Sequence, residues 1–178
     1  PLQHGHRNTL LRMKRPANLD WVHKTIHKMR IAIPELAIRT TFIVGYPGET
    51  DSEFGALLDF VEDLQFDRLG AFQFSFEHDT TSAPLGDPIS QEIKENRFEK
   101  LMQLQQNISL QKNQHFLGKT LHVLIEGKED GISVGRSYRD APEIDGTVIV
   151  EGELPVGTIS PVYITGAMTY DLTGVPAQ

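Results

Sequence analysis

Apolar residues recur along this chain with a helical period in its first two thirds and by strict alternation in its last third, which predicts two architectures in succession. Residues 1–5 read as the exit of a strand. Leu10, Leu11 and Met13 then mark a short basic helix that stops before Pro16. Asn18 is placed to cap a second helix, whose apolar positions Val22, Ile26, Met29 and Ile33 continue until Pro34 ends it. Residues 38–44 are rich in β-branched side chains and predict a strand, and Gly45-Tyr46-Pro47-Gly48 turns the chain into Thr50-Asp51-Ser52-Glu53, which has capping-box spacing. A helix built on Phe54, Leu57, Leu58, Val61 and Leu64 follows. Residues 66–76 return as a strand in which Phe72, Phe74 and Phe76 alternate with polar residues, most economically as core packing. Strand, helix, strand predicts parallel pairing under helices, as in an open sheet or part of a barrel. About three strands are expected, and a full eight-stranded barrel takes about 250 residues.

Residues 79–87 are rich in Thr, Ser, Pro and Gly and predict a loop, after which Ser90 caps a long polar helix running to about Phe116, stopped by Gly118. Beyond it Leu121, Val123 and Ile125 alternate with polar residues. Short β runs follow at residues 132–134, 147–150, 158–165 and 168–172, separated by Gly or Pro turns. This spacing predicts a small antiparallel barrel of about five strands.

The chain has 178 residues, 39% of them apolar, which is ample for a packed core in one large domain or two small ones. The formal charge of −7 is unevenly spread. Residues 1–30 carry seven Lys/Arg against one Asp, residues 31–117 six against fourteen acids, and residues 118–178 four against nine. A basic end is thus followed by an acidic body. There is no cysteine, so disulfides, thiolate catalysis and cysteine-ligated metals are excluded within these residues. No apolar run approaches a membrane span and no signal-peptide pattern is seen, so a soluble cytoplasmic protein is expected. The start at Pro1 reads as a fragment of something longer.

Residues 135–146, G-R-S-Y-R-D-A-P-E-I-D-G, form a stiff and predominantly acidic loop. Asp140, Glu143 and Asp145 carry the charge, Pro142 fixes one φ angle, and Gly146 is expected to supply a turn conformation. Such a loop suits a basic partner, with Arg136 and Arg139 flanking it; the plainer reading is a solvated turn closing a hairpin. The loop Gly45-Tyr46-Pro47-Gly48-Glu49-Thr50 lies between a parallel strand and a helix N-terminus, where ligands of α/β proteins bind. Two glycines there let backbone approach a nucleoside, and Glu49 is an acceptor for an amine or hydroxyl; a well-formed turn and cap explains the same residues. Arg39, in an apolar strand, calls for a ligand carboxylate or a structural ion pair. His4 with His6, and His23 with His27, have ligand spacing but no third ligand nearby, so solvated histidines are the better reading.

Taken in order, P-L-Q-H-G (1–5), L-L-R-M-K-R-P (10–16), R-T-T-F-I-V-G-Y-P-G-E-T (39–50), L-L-D-F (57–60), F-D-R-L-G (66–70), M-Q-L-Q-Q-N-I-S (102–109) and the 135–146 loop closely resemble the bacterial radical-SAM methylthiotransferases. The 39–50 stretch is shared across that superfamily, including its tRNA-modifying members, whereas D-A-P-E-I-D-G marks the branch that modifies a ribosomal protein. The resemblance implies an α/β partial radical-SAM (TIM-like) barrel over residues 1–110, ending in a long helix, and a small all-β antiparallel, OB-like TRAM domain over 111–178. It implies transfer of a methylthio group to the β-carbon of an aspartate in small-subunit ribosomal protein number twelve. The cofactors implied are S-adenosylmethionine and two iron–sulfur (4Fe–4S) clusters, whose cysteines have no counterpart here, so this piece alone is expected to be inactive. Carried over by position, Gln3, Arg39, Ile43, Val44, Gly45 and Glu49 are the expected S-adenosylmethionine contacts. Arg136, Arg139, Asp140, Glu143 and Asp145 are the expected contacts to the basic protein substrate; no catalytic or metal residue is expected. A contact to the ribosome or its assembly intermediates fits the same reading. A phosphate backbone would be repelled by an acidic barrel, so RNA is not the expected partner. A tRNA-modifying relative, kept open by the basic residues 7–15, and a non-catalytic acidic protein-docking module are the alternatives.

Overall fold

The computed structural model describes residues 1–177, which divide into two compact units, Pro1–Gln105 and Gln106–Gln178. None of the helices among the described residues is long and apolar enough to cross a membrane.

In the first unit, α1 (Arg7–Arg12) and α2 (Leu19–Ala32) precede strand β1 (Arg39–Val44), helix α3 (Asp51–Leu64) and strand β2 (Arg68–Gln73). The local signals act as their chemistry requires. The Asn18 side chain accepts from Trp21 N–H at the start of α2, and Thr50 with Glu53 closes a full capping box on α3. β1 and β2 pair in parallel, Arg39 opposite Arg68 through Val44 opposite Gln73. Phe42, Val44, Leu57, Val61, Phe66 and Leu101 are fully buried, with Phe42 meeting Phe60 and Phe66 edge-on at 6.3 and 5.8 Å. Leu101 comes from α4 (Gln91–Gln114), whose residues to Gln105 belong to this unit.

Three sequence expectations are corrected here. The opening strand is a single parallel bridge, Gln3 to Phe42, and the unit holds a two-stranded sheet; a closed α/β barrel is not present among the described residues. The strand expected over residues 66–76 is shorter, because its partner ends at Val44 and Phe74 N–H to Val44 O at 2.9 Å is the last rung. Phe72, paired with Ile43 within the strand, is 61% exposed rather than core, and Phe74, at the last rung, packs on Tyr46. In α2 only Ile26 is buried; Met29 and Ile33 face outward.

The second unit is a closed barrel of β3 (Thr120–Glu129), β4 (Ile132–Ser137), β5 (Val148–Glu151), β6 (Ile159–Ala167) and β7 (Leu172–Pro176), in the cyclic order β3-β4-β5-β7-β6. That order is OB-like, and β5 pairs with β7 in parallel, so the all-antiparallel expectation fails at one seam. Alternation fills the interior with Val123, Val148, Val150, Val162 and Ile164, all fully buried. The last strand lies later than residues 168–172. Met168 N–H bonds Asp171 O at 2.9 Å, so those residues make a turn, and the strand begins where Leu172 meets Val148.

Candidate functional site

Two regions concentrate the residues singled out by the sequence. The first is the loop joining β1 to α3. Gly45 and Gly48 adopt left-handed backbone (φ +73° and +81°), and a Cβ on Gly45 would lie 2.5 Å from Lys94 Cγ, so glycine is required twice over at that position. Glu49 is fully buried at its side chain and turned into its own loop, where Oε2 accepts from Gly45 N–H at 2.8 Å and Tyr46 N–H at 3.2 Å. Its other oxygen receives Arg97 Nη1 at 3.1 Å, and the same guanidinium reaches the Glu49 carbonyl and Asp51 Oδ1. Lys94 Nζ donates to Phe74 O at 3.0 Å and Asp87 Oδ2 at 2.6 Å. Below the loop, His4 is buried, accepts His6 N–H at Nδ1, and holds Nε2 3.7 Å from Glu49. Arg12 clasps Glu53 from α1. Burial opposes ionisation of Glu53, but Arg12, the Thr50 N–H and His6 outweigh it and hold its carboxyl below the usual range. Burial likewise pushes the Tyr46 phenol up, against the pull of Arg12.

The second region is one end of the barrel, where the β4–β5 loop meets the β6–β7 turn. Asn113, fully buried on the last turn of α4, ties them together. Its amide donates to Met168 O at 2.9 Å and Thr169 O at 3.3 Å, while its oxygen accepts Arg139 Nη1 at 3.1 Å. The Arg139 guanidinium lies 4.2 Å from the centre of the Phe116 ring. Asp140 is buried and accepts from Ser137 Oγ at 2.8 Å; Asp145 Oδ2 accepts from Ala141 N–H at 2.8 Å. Arg136 is bridged to Glu126 at 2.7 Å. Gly146 is needed because a Cβ would collide with the Tyr170 carbonyl, a close approach rather than the special turn conformation expected. The left-handed residue is Glu143, at φ +63°.

Residues 117–176 match the family model described as TRAM domain. The protein named ribosomal protein uS12 methylthiotransferase RimO from Chloroflexus aurantiacus is 52% identical to this chain over 98% of the chain and 39% of its own length. The proteins of the same name from Roseiflexus castenholzii (50% identity, 98% of this chain, 37% of the relative) and Thermus thermophilus (48%, 99%, 42%) are similar. The chain belongs to the RimO family. It spans about two fifths of the length of these curated relatives.

In this RimO-family chain the expected cofactor residues are partly assembled. Ile43 and Arg39 share one face of β1 by alternation, but Arg39 is exposed at the opposite end of the strand from Gly45, roughly 15–20 Å along it, and is not inside a barrel. It borders a cleft of ≈ 230 Å³ with Trp21 and Thr25. Val44 points into the helix-covered core, fully buried, so only its backbone is available to a ligand. Gln3 lies beside β1, its backbone bonded to Thr41 and Ile43, with an unusual φ of +72°. Glu49 faces inward and shapes the loop rather than projecting from it. Of the acidic loop, Asp140 and Asp145 bind their own backbone or a neighbouring hydroxyl, leaving Glu143 as the carboxylate directed outward. Among the described residues no three His, Asp or Glu side chains gather as a metal site; His6 caps α1 and His23 contacts Asp63 at 3.0 Å. Sequence reasoning missed Lys94, Arg97 and Asn113 altogether. The signal for the first two was helical spacing along α4, in which Lys94, Arg97, Leu101 and Gln105 form one buried stripe that hydrophobicity alone does not reveal; Asn113 had no such signal.

Proposed function

We propose that this chain is the carboxy-terminal part of a radical-SAM methylthiotransferase that modifies the β-carbon of an aspartate in ribosomal protein uS12, with its TRAM barrel seating that protein. The observation that carries the reading is identity near one half, along nearly the whole chain, to proteins bearing that name. The first unit then forms part of a larger TIM-like barrel, a reading supported by its parallel strand–helix–strand order and by the Gln3 bridge extending β1 on its free side.

The β1–α3 loop fits an adenosine by shape. Gly45 brings backbone close, and Ile43 beside the exposed Phe72, its register partner, offers an apolar surface suited to a purine. In this reading Gln3, Ile43, Val44 backbone and Gly45 hold S-adenosylmethionine, Glu49 and Arg97 keep the loop in shape, and Arg39 acts from the far end of the strand. The cofactor supplies the methyl group and the means of activating the carbon–hydrogen bond. Iron–sulfur clusters do not fit the residues present, since the sequence has no cysteine, and would be ligated by other parts of the protein.

Negative charge on the second unit, nine acids against five Lys/Arg over residues 106–178, favours a basic polypeptide over a phosphate backbone. A cytoplasmic protein meeting uS12 free or on assembling ribosomes follows from the same substrate. The full-length enzyme, with reconstituted clusters, is expected to add one methylthio group to an aspartate of uS12 and none to an anticodon stem-loop, as read by mass spectrometry of both. Modification of the RNA alone would assign the protein to the tRNA-modifying branch.

A further inference from the structure

We infer that the barrel grips its protein substrate through an aromatic and aliphatic rim, Tyr138, Ile144, Met168 and Tyr170, against which an extended Arg- or Lys-bearing segment lies. This deepens the reading of uS12 as substrate and rests on it. The register puts these residues at one end of the barrel: β4 leaves at Ser137, β6 at Ala167, and the strands that return, β5 and β7, start side by side at Val148 and Leu172. Gly146 packs directly on the Tyr170 carbonyl, so the two connections form one surface.

What that surface shows to solvent is mainly apolar, since two of the three acids of the 135–146 loop are turned to protein partners. Asp140 and Asp145 are turned to Ser137 and Ala141, whereas Ile144 is 71% exposed and Tyr138 56%, with Met168 and Tyr170 also open. Large apolar and aromatic side chains held outward on a loop that is rigid before binding are the usual anchors of protein interfaces. Rigidity here has identifiable sources: the buried Asn113 links both connections, and Asp145 closes the loop on itself.

Charge selects the occupant. Arg136 is bridged to Glu126, Arg139 is buried against Phe116, and Lys119 lies over the same ring at 5.3 Å, so the cations of this end are engaged. Glu143, which has no ion-pair partner among the described residues, is held outward beside Ile144. A single-stranded nucleic acid needs both stacking rings and free cations. Rings with an outward carboxylate instead suit guanidinium and ammonium groups, which bind aromatic faces.

The test is the affinity of the full-length enzyme for uS12 at low and physiological salt, compared among Tyr138→Ala, Tyr138→Phe, Ile144→Ser and the pair Glu129→Gln/Asp130→Asn at the opposite, hairpin end of the barrel. Tyr138→Ala and Ile144→Ser are expected to weaken binding at least tenfold with an unchanged melting curve, while Tyr138→Phe and the hairpin-end pair stay within twofold of wild type. If the rim variants bind uS12 normally, the rim is not the contact, whatever the substrate assignment. If wild-type enzyme itself fails to bind uS12, or prefers an RNA stem-loop, the substrate reading and the rim fall together.

Discussion

The two units of this chain solve the same problem, burying an apolar core, with opposite means. The barrel closes on itself: each strand has two neighbours, and the strands fill the interior with aliphatic side chains against which Phe116 packs. The first unit has two paired strands, and among the described residues β2 pairs with no strand but β1. Its organisation around the β1–α3 loop depends on buried charge, with Glu49, Arg97 and Lys94 all inside. Closure removes exposed edges and makes a unit independent, whereas an open parallel pair relies on whatever covers it. Buried ion pairs hold geometry at a cost in desolvation, which suits a loop that must keep one shape more than it suits a stabilising core.

The largest effect follows from that difference. Residues 106–178 expressed alone are expected to give a dispersed spectrum and a single cooperative melt, since Phe116, Asn113 and the complete barrel are included. Residues 1–105 alone are expected to aggregate or to show no cooperative transition, as exposed strand edges and the open Ile43–Phe72 face predict. A cooperative melt of residues 1–105 as a monomer would show that the open sheet suffices, and the contrast between the units would be lost.

A smaller effect tests what holds the loop. In Glu49→Gln one amide oxygen can still accept from Gly45 and Tyr46, but the amide NH2 then faces the Arg97 guanidinium, leaving a buried cation short of its carboxylate. The expected loss is about 3 kcal/mol, the order seen when one partner of a buried pair is removed. Far-UV circular dichroism, to which the helices of the first unit contribute most, reads that unit's denaturant midpoint. A loss below about 1 kcal/mol would mean that Asp51, which also binds Arg97, carries the ion pair, and that Glu49 matters only to the backbone.

Much of this architecture was legible because it is local. Asn18, Thr50 with Glu53, Pro34 and Gly118 act within a turn of themselves, and the period of alternation was enough to find the barrel. What stayed hidden depends on partners distant in sequence. Asn113 meets Met168, and Gly146 meets Tyr170; no pattern within a short window announces either contact. Strand ends were misjudged for the same reason, since β2 stops where β1 does and β7 starts where β5 does. Least legible was the direction of each charge, because composition counts carboxylates without saying which way they point.

That direction can be measured residue by residue in the 135–146 loop, and it is the smallest effect of the three. If the loop's acids act only through their charge, removing any one should alter solution behaviour alike and stability not at all. The structure separates them. Asp145 Oδ2 accepts from Ala141 N–H, so Asp145→Ala removes one closing hydrogen bond and is expected to cost about 1 kcal/mol. It should also speed amide exchange at Ala141. Glu143→Gln deletes the same unit of charge from an outward side chain, and is expected to leave both the melt and the exchange of Ala141 unchanged. Equal effects from the two substitutions would mean that the loop is held by its overall charge rather than by the Asp145 bond, and the barrel end would lose its claim to be rigid before it meets a partner.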